Sequence, residues 1–356
     1  LTVPAATGVL ANDTPNGATP VFDATSTQGG TITGTQDGGF TYSPLANFSG
    51  TDSFNYRLTN SGGTVTCTVT ITVVAVNGFF VDAATGSDTT GSFTGGMPFA
   101  TIQAAVAAAG TSQDIVVRPG NYTGTVSLKN GQRLLGSGST LITPQGVTRP
   151  VLTGPIDMAD GNTLDFLRVA GTSGNAVICS DQDGGTVTNC EFANTSNTGT
   201  GVGGTSVTGN WTVSNNTFTN LTGGGVFFSA TVTDAPVIVV KGNTMTGNSL
   251  SAIALGSQDT SNVKASVVGN TFSGNNTVTG DAFELICGDS STFCLNLEDN
   301  TNDDDYRVGE FNTGNLSIEQ FATLTTPQPG GAGNTGNVID SSTGTIADVA
   351  NGFCGF

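Results

Sequence analysis

The sequence predicts a mainly β protein in which a small β-sandwich precedes a coiled solenoid. A short phrase, Val followed by polar residues and then by Phe or Met, returns at residues 187–192, 213–218, 240–245 and 268–272. A fixed period built from β-branched runs and Gly-Asn turns is typical of a unit that buries its apolar face by stacking on copies of itself. The period is read from Phe166, Phe192, Phe218, Met245 and Phe272, at intervals of 26, 26, 27 and 27 residues.

Composition excludes several classes of partner. Of the 356 residues, 10% are charged, 36% are hydrophobic and 52 are Gly, and the net charge is -18. The apolar residues fall in ordered β patterns, which argues against disorder. Because the nine Lys and Arg residues form no basic cluster, we expect no nucleic acid partner and no anionic membrane partner.

The cysteines and the absence of histidine point to an oxidising compartment. Six cysteines occur without a CxxC pair, and there is no histidine, which disfavours zinc and favours disulfides. No apolar run approaches the roughly 20 residues of a membrane span. The first residue lies in a strand-like segment, so we expect any signal peptide to precede this sequence. These features predict a secreted protein, extracellular or at the cell surface.

Residues 1–76 predict the β-sandwich, because turn clusters separate short alternating runs. The stretches at 8–13, 39–44, 48–56 and 69–73 resemble the bacterial cadherin-like, immunoglobulin-type repeats found in tandem on large surface adhesins. The acidic residues that usually follow the Asn-Asp turn in that family are replaced here, which argues against carrying over its calcium site.

One departure from this family predicts an interaction site. The family pattern has an opening strand before the segment that contains Leu1 and Val3. Its absence would leave a row of unpaired backbone donors and acceptors at a sheet edge, which another strand could fill.

The next segment predicts a helix that caps the solenoid. Pro98 lies near its start, Gly110 just past its end, and Ile102, Ala105, Val106 and Ala109 share one face. An apolar helix face can close the open end of a first coil. With the segments 114–123 and 134–138, this region resembles the start of right-handed parallel β-helices of the pectin-lyase-like superfamily, and the resemblance spans residues 79–310.

The tail, residues 311–356, breaks the period. We expect it to cap the far end of the solenoid or to be exchanged with another molecule. Within the repeats, Asn residues at matching turns are expected to stack in a ladder, and the aromatic or Met residues that follow are expected to stack inside. The ladder positions are Asn189, Asn215 or Asn216, Asn243, Asn270 and Asn300.

Two aromatic features can be placed by strand alternation. Trp211 is expected in the core. Because neighbouring strand residues point to opposite faces, one of Phe227 and Phe228 is expected to be exposed.

Pectin-lyase-like folds host many glycan-cleaving enzymes, so the fold alone does not decide whether this protein is one. The hypothesis of catalysis must be judged from the residues present. Hydrolysis needs paired carboxylates, and the histidine of the family's hydrolases is missing here. Lyases of the fold use a basic residue beside calcium-binding acids. Arg168, Lys241 and Lys264 stand at suitable points of the repeats, but none has a bank of carboxylates one period away. We therefore predict no catalytic residues and no cofactor.

The acidic run Asp303, Asp304 and Asp305 is interpreted as a solvated loop. The alternative is a surface calcium site, because carboxylate oxygens in a turn suit that ion.

The cysteines suggest pairings but do not determine them. Cys287 and Cys294 bracket a short loop, and Cys179 and Cys190 bracket one turn of the repeat. Cys67 and Cys354 remain, either as free thiols or as a bond between molecules. In the second case the tail of one molecule fills the open edge of the next and builds a head-to-tail filament. The predicted contacts are Leu1, Val3, Cys67, Cys354 and Phe356.

Two functions follow from these features. The first is an extracellular structural or adhesive protein, plausibly the self-assembling subunit of a homopolymer. The alternative is a β-helix that binds or cleaves a polysaccharide or another cell-surface glycan.

Overall fold

The chain divides into two compact units, the first comprising residues 1–77 and 94–96 and the second comprising residues 78–93 and 97–356. The computed structural model describes residues 1–12, 17–44, 50–73, 78–93, 97–139, 148–196, 199–231, 233–275, 281–302, 305–310, 314–319, 338–340, 346–350 and 352–356. In this part of the chain, no helix has the length and apolar character needed to cross a membrane.

The first unit contains two antiparallel three-stranded sheets, in the orders β1-β4-β3 and β2-β5-β6. Phe40 of one sheet packs on Phe54 of the other at 5.2 Å between ring centroids, and Ile32 and Tyr42 join them in the core. The sandwich prediction is confirmed. A 3-10 helix covers Ala5–Thr7, and the strands are β1 (Thr2–Val3), β2 (Pro20–Phe22), β3 (Thr31–Gly34), β4 (Phe40–Ser43), β5 (Gly50–Asn60) and β6 (Gly63–Val73).

A buried carboxylate ties this unit together. Asp52 on β5 accepts hydrogen bonds from the Tyr42 hydroxyl at 2.6 Å, the Thr27 hydroxyl at 2.9 Å and the Gln28 backbone NH at 2.9 Å, and also from Ser26. Burial alone would raise the pKa of Asp52, but these hydrogen bonds outweigh it and hold that pKa well below its usual range. The carboxylate therefore joins β4 and β5 to the β2–β3 loop.

The second unit is a right-handed parallel β-helix. Its helix α1 covers Ile102–Ala108, and its strands, in chain order, are β7 (Phe79–Val81), β8 (Asp114–Val117), β9 (Asn121–Tyr122), β10 (Val126–Ser127), β11 (Arg133–Gly136), β12 (Val151–Leu152), β13 (Ile156–Asp157), β14 (Asn162–Asp165), β15 (Arg168–Ala170), β16 (Val177–Ile178), β17 (Asp183–Thr188), β18 (Glu191–Ala193), β19 (Val202–Thr205), β20 (Thr208–Ser214), β21 (Thr217–Thr219), β22 (Val226–Ala230), β23 (Val237–Lys241), β24 (Thr244–Thr246), β25 (Ile253–Ser257), β26 (Asn262–Val268), β27 (Thr271–Ser273), β28 (Asp281–Cys287), β29 (Thr292–Glu298), β30 (Thr301–Asn302), β31 (Asp305–Glu310), β32 (Asn315–Glu319), β33 (Val338–Asp340) and β34 (Ala347–Val349).

Three parallel sheets form the walls of this solenoid, and each coil contributes a strand to each in turn. The first sheet runs from β7 and β8 through β11, β14, β17, β20, β23, β26, β29 and β32 to β34. The second runs from β9 to β30, and the third from β10 to β33. Trp211 is 1% exposed inside the coils, as expected from strand alternation.

The helix closes the first coil, as predicted. Ile102, Ala105 and Val106 are buried in the core of the solenoid. The Thr101 side chain accepts the Ala104 backbone NH at the start of the helix. At its other end, the Gln132 amide donates to the carbonyl oxygens of Val106, Ala109 and Gly110. Both ends of the helix therefore have partners for backbone groups that the helix itself leaves unpaired.

An asparagine ladder fixes the turn from the first sheet to the second. The Asn216 side-chain amide donates to the Asn243 side-chain oxygen at 3.0 Å, Asn243 to Asn270 at 2.9 Å, and Asn270 to Asn300 at 2.9 Å. Each oxygen also accepts a backbone NH from the previous coil, as that of Asn216 does from Cys190. The stacking prediction is correct for these four residues.

The predicted ladder position Asn189 was wrong by one residue, and of the alternatives Asn215 and Asn216 it is Asn216 that joins the ladder. Asn189 and Asn215 precede the ladder position and have positive φ angles of 51° and 55°, a conformation that Asn and Gly tolerate best. The corresponding residues in the next coils are Gly242 and Gly269, both with φ of 64°. Each turn is therefore a left-handed residue followed by a ladder residue.

Phe166 was also assigned wrongly, because the coil between β15 and β18 is shorter than the coils that follow it. Val169 pairs with Phe192 in the second sheet, 23 residues away, so Val169 occupies the inward position. Phe166 lies in the preceding turn with a φ of 58°. The inward row of Phe192, Phe218, Met245 and Phe272 is confirmed by its register.

A second ladder was missed. The Asn248 amide donates to the Asn275 side-chain oxygen at 2.8 Å, and Asn248 accepts the Leu221 backbone NH at 3.0 Å. It stabilises the turn from the second sheet to the third. The signal was present in the sequence, since Gly247 and Gly274 precede these residues just as Gly242 precedes Asn243.

The described part of the tail adds to the solenoid. β33 pairs with β31 and β34 with β32, both in parallel. The end of the tail is joined to the first sheet by a disulfide between Cys294 and Cys354, which are 60 residues apart. The buried Glu319 carboxylate also accepts the backbone NH groups of Gly352 and Cys354, at 3.0 and 2.6 Å.

This disulfide corrects the predicted pairings. Cys287 lies in the solenoid core, whereas Cys294 alternates with the buried Phe293 and Leu295 and so points outward. The Cys287 thiol therefore points into the solenoid and the Cys294 thiol points away from it, so the two cannot pair. Cys179 and Cys190 are both free and buried. A bond between Cys67 and Cys354 of another molecule is also excluded while Cys354 is bonded to Cys294.

We expect the asparagine ladder to contribute strongly to stability. Asn243→Ala removes the donor to the Val213 carbonyl and the acceptor of the Asn216 backbone NH. The free energy of unfolding should fall by about 2–4 kcal/mol, because each buried polar group left without a partner costs about 1–3 kcal/mol. Urea unfolding measures it. The exposed Asn210 supplies the control Asn210→Ala, and equal losses in the two variants would contradict a special role for the ladder.

The disulfide is tested by peptide mapping without reduction, which should recover Cys294 linked to Cys354. Replacing both by serine should lower the free energy of unfolding by about 2–4 kcal/mol, since the bond closes a long loop. It should also speed amide exchange at residues 352–356. Cys67→Ser, which removes a free thiol, should leave both the free energy of unfolding and the amide exchange at residues 352–356 unchanged. A recovered Cys287–Cys294 link would refute the assignment.

Candidate interaction surfaces

The edge of the first unit formed by β6 is open. β6 pairs with β5 over its whole length, from Gly50 with Val73 to Asn60 with Gly63. It is the last strand of its sheet, and no described residue pairs with its other side. An unpaired edge of 11 residues presents backbone donors and acceptors to another strand. We call it the β6 edge.

The inward side chains of β6 are incompletely covered. Val69, Ile71 and Val73 pack against the core but remain partly exposed. Cys67 shares their face and is half-buried, while Val65 is 61% exposed. The prediction that Cys67 faces the core side of this unit is therefore correct in direction, and its thiol is free.

Leu1 and Val3 lie at a second edge. β1 pairs with β4, with Val3 opposite Phe40, and it is the outer strand of its sheet. The amino group of Leu1 donates to the Tyr42 carbonyl at 2.8 Å, and the Leu1 side chain is 60% exposed. Among the described residues β1, which has two residues, pairs on one side only. A strand from another molecule beside Leu1 and Val3 stays a prediction.

The remaining predicted residues are dispersed. Phe356 is 46% exposed, two residues after the disulfide. Asp303 and Asp304 lie outside the described residues, and only the backbone of Asp305 is described, at the start of β31. Within the described ranges, no group of three Cys, Asp or Glu side chains could hold a metal ion. A calcium site at the acidic run stays a prediction.

The buried thiols are poorly suited to reaction. Burial raises the pKa of the Cys190 thiol to about 12 and also raises that of Cys179. A thiol reacts through its thiolate, which these values suppress at neutral pH. Cys287 is fully buried as well. These three cysteines contribute to the solenoid core.

A charged cluster at the turn before β15 was missed by sequence reasoning. The Arg149 guanidinium lies 4.3 Å from the centre of the Phe166 ring and 3.1 Å from the Glu191 carboxylate, and it donates to the Asn189 carbonyl. Arg168 lies 4.0 Å from the other Glu191 oxygen. No periodic signal marks Arg149, because it precedes the repeats in the sequence.

This cluster stabilises a turn. Arg149 covers the Phe166 ring. The backbone of Phe166 is in the left-handed region, which is unfavourable for a bulky residue. The Glu191 carboxylate is held between two arginines, whereas a hydrolase needs a protonated acid and a second carboxylate. The nearby Asp165 is buried and accepts hydrogen bonds from Ser139 and Asn189. Its hydrogen bonds fix the turn.

The outer face of the third sheet carries an exposed aromatic ring. Phe227 is 39% exposed and Phe228 is buried, as strand alternation predicted. Phe227 lies between Gly203 and Ala254 of the neighbouring coils. The next outward row contains Gly256 opposite Ile286, and Ile286 is 39% exposed. We call these five residues the Phe227 face, which is flat beside the ring because its neighbours are small.

Comparison with known proteins supports the two-part organisation. Residues 2–72 match the family model of the bacterial Ig domain, and residues 156–316 match that of the right handed beta helix region. No curated protein matches the chain in sequence.

Three solved structures are similar to this chain at low identity. An alginate lyase from Paenibacillus sp. str. FPU-7 is 13% identical, covering 69% of this chain and 96% of that one, with a TM-score of 0.34. A rhamnogalacturonan lyase is 12% identical over 68% and 74%, with a TM-score of 0.32. The family 28 exopolygalacturonase of Yersinia enterocolitica is 12% identical over 86% and 83%, with a TM-score of 0.26.

At these identities and scores, the activities of the three enzymes carry no argument about this chain. The family matches, together with the two antiparallel sheets and the three parallel ones, lead to one conclusion. This chain joins a bacterial Ig domain to a right-handed β-helix.

Proposed function

We propose that this protein is an extracellular structural or adhesive protein that associates with copies of itself through the Ig domain. The observation that carries the proposal is the β6 edge, the side of an 11-residue strand that faces away from β5 and has no partner among the described residues. Addition of a strand there would complete backbone hydrogen bonds and cover Val65, Val69 and Ile71. The β-helix would act as a rigid rod, and association at the β6 edge would join the rods of neighbouring molecules.

The chemistry of the solenoid supports a structural role. Its recurring Asn, Phe and Val side chains point into the turns and the core, where they stack on the same residues of neighbouring coils. The Arg149 cluster is engaged in ion pairs and a cation–π contact. The Cys294–Cys354 bond holds the end of the tail on its own chain, so the strand that fills the β6 edge is not the tail.

Self-association is tested on the full chain by light scattering across a concentration series and by electron microscopy. We expect the mean mass to rise above that of a monomer as the concentration rises, and electron micrographs to show joined particles. A synthetic peptide with the sequence of residues 63–73 should compete for the β6 edge and lower the mass, whereas a scrambled peptide should not. A constant monomer mass at every concentration would refute the proposal.

A second candidate function is carbohydrate binding at the Phe227 face. An exposed aromatic ring flanked by small residues offers a flat apolar platform, and such platforms in protein sites are combined with a few polar groups that fix orientation. Glu284 and Arg307 extend the same outward row as Phe227 and Ala254. This arrangement suits a neutral or acidic polysaccharide lying along the solenoid.

This second function is tested by affinity electrophoresis in gels that contain polysaccharides, together with a reducing-sugar assay. If the Phe227 face binds glycan, Phe227→Ala should weaken binding roughly tenfold, the size of an aromatic contact. Phe353→Ala is the matched control, because Phe353 is 64% exposed and lies elsewhere, in the tail. Equal mobility of the two variants would exclude this face.

A further inference from the structure

The β6 edge has a symmetrical sequence. Residues 64–70 read Thr-Val-Thr-Cys-Thr-Val-Thr, which is the same in both directions about Cys67. In an antiparallel pair of identical strands related by a two-fold axis, each residue faces its mirror position. A symmetrical sequence therefore places like side chains opposite one another.

The edge also lacks the features that usually prevent pairing between edges. Natural edge strands are protected by charges, by Pro or by short length. Residues 63–73 contain no charged residue and no Pro, and the strand spans 11 residues. Its outward row, which includes Thr66 and Thr68, is exposed, and Thr is well suited to strands and to cross-strand hydroxyl contacts.

We propose that β6 pairs with β6 of a second copy of this chain, antiparallel, with the two-fold axis at Cys67. In this register Thr66 faces the partner's Thr68, and Val65 faces the partner's Val69. Two three-stranded sheets become one six-stranded sheet. The 61% exposed Val65 gains an apolar neighbour, which identifies a second copy, with its matching β-branched row, as the occupant of the edge.

This inference rests on the proposed self-association and specifies its geometry. The contact uses the same patch on both copies, so it closes after two subunits. It replaces head-to-tail exchange at this edge, and growth into a filament would require another surface in addition.

Cys67 is a built-in probe of the axis. Residues directly opposite in antiparallel strands have Cα atoms about 4.5–5.5 Å apart, within the range of about 4.4–6.8 Å that a disulfide spans. With diamide as the oxidant, two Cys67 thiols would form one S–S bond, and the diamide would take up the two protons and two electrons. Residues one position off the axis lie diagonally and farther apart.

The register is tested with charges at Thr66 and Thr68 in the full chain, using sedimentation at low salt. T66K/T68K and T66E/T68E each place like charges opposite one another at two points and should weaken the dimer roughly tenfold or more. T66K/T68E and T66E/T68K place opposite charges there and should retain it. All four variants lose the same hydrogen bond from Thr68 to Asn55, so its loss cannot explain a difference between them. The two like-charge variants change the net charge in opposite directions, so a shared effect cannot come from net charge.

Cross-linking gives the second arm. Diamide should convert the native chain to a covalent dimer whose linked peptide joins two Cys67 residues. C67S should give no covalent dimer but the same sedimentation, and C67S/T66C should cross-link much more slowly. Rapid cross-linking of C67S/T66C, or none in the native chain while it sediments as a dimer, would overturn the axis at Cys67.

The outcomes separate this inference from the proposed function. A dimer or larger assembly that all four charge variants leave unchanged would refute β6 pairing while self-association stands. A monomer at every concentration would refute both. Loss of the dimer in the like-charge pair, with retention in the opposite-charge pair, would support the proposed register.

Discussion

The solenoid depends on satisfying the backbone polar groups that each turn would otherwise bury unpaired. Every coil turns sharply between its first and second strands, and a buried NH left without a partner is costly. The side-chain oxygen of Asn243 accepts both the backbone NH and the side-chain amide of Asn216. The same side chain donates to Val213. Its amide also donates to Asn270 in the following coil. One residue thus joins three coils, and its repetition sets the spacing of the coils from Asn216 to Asn300.

The ends of a stacked structure need separate solutions, because a terminal coil has no neighbour on one side. At the start, α1 covers the core and Gln132 binds its last carbonyl groups. At the described far end, β33 and β34 extend two of the sheets, and the disulfide with the Glu319 hydrogen bonds holds the tail. The Ig domain differs, since the β6 edge has no cover among the described residues. The β6 edge is therefore the longest strand edge without a partner among the described residues of its unit.

Several charged residues also have structural roles, because their contacts hold neighbouring segments together. Asp52 in the Ig domain and Asp165 in the solenoid are buried carboxylates whose hydrogen bonds join neighbouring segments. Arg149 and Glu191 cover a strained turn. These groups resemble parts of catalytic sites by residue type, but their partners are backbone groups and packed side chains. We therefore propose the β6 edge and the Phe227 face as the surfaces that contact other molecules.

The sequence by itself determined the fold class, the capping helix, the inward row from Phe192 to Phe272 and the exposure of Phe227, because period and alternation are local properties of the chain. Tertiary structure decided which Asn of each pair forms the ladder, since a shift of one residue exchanges a left-handed turn position for a buried one. It also decided that Phe166 leaves the row, because one coil is shorter. The partner of Cys294 depended on which side of the wall each thiol faces and on where the tail docks, and sequence spacing contains neither.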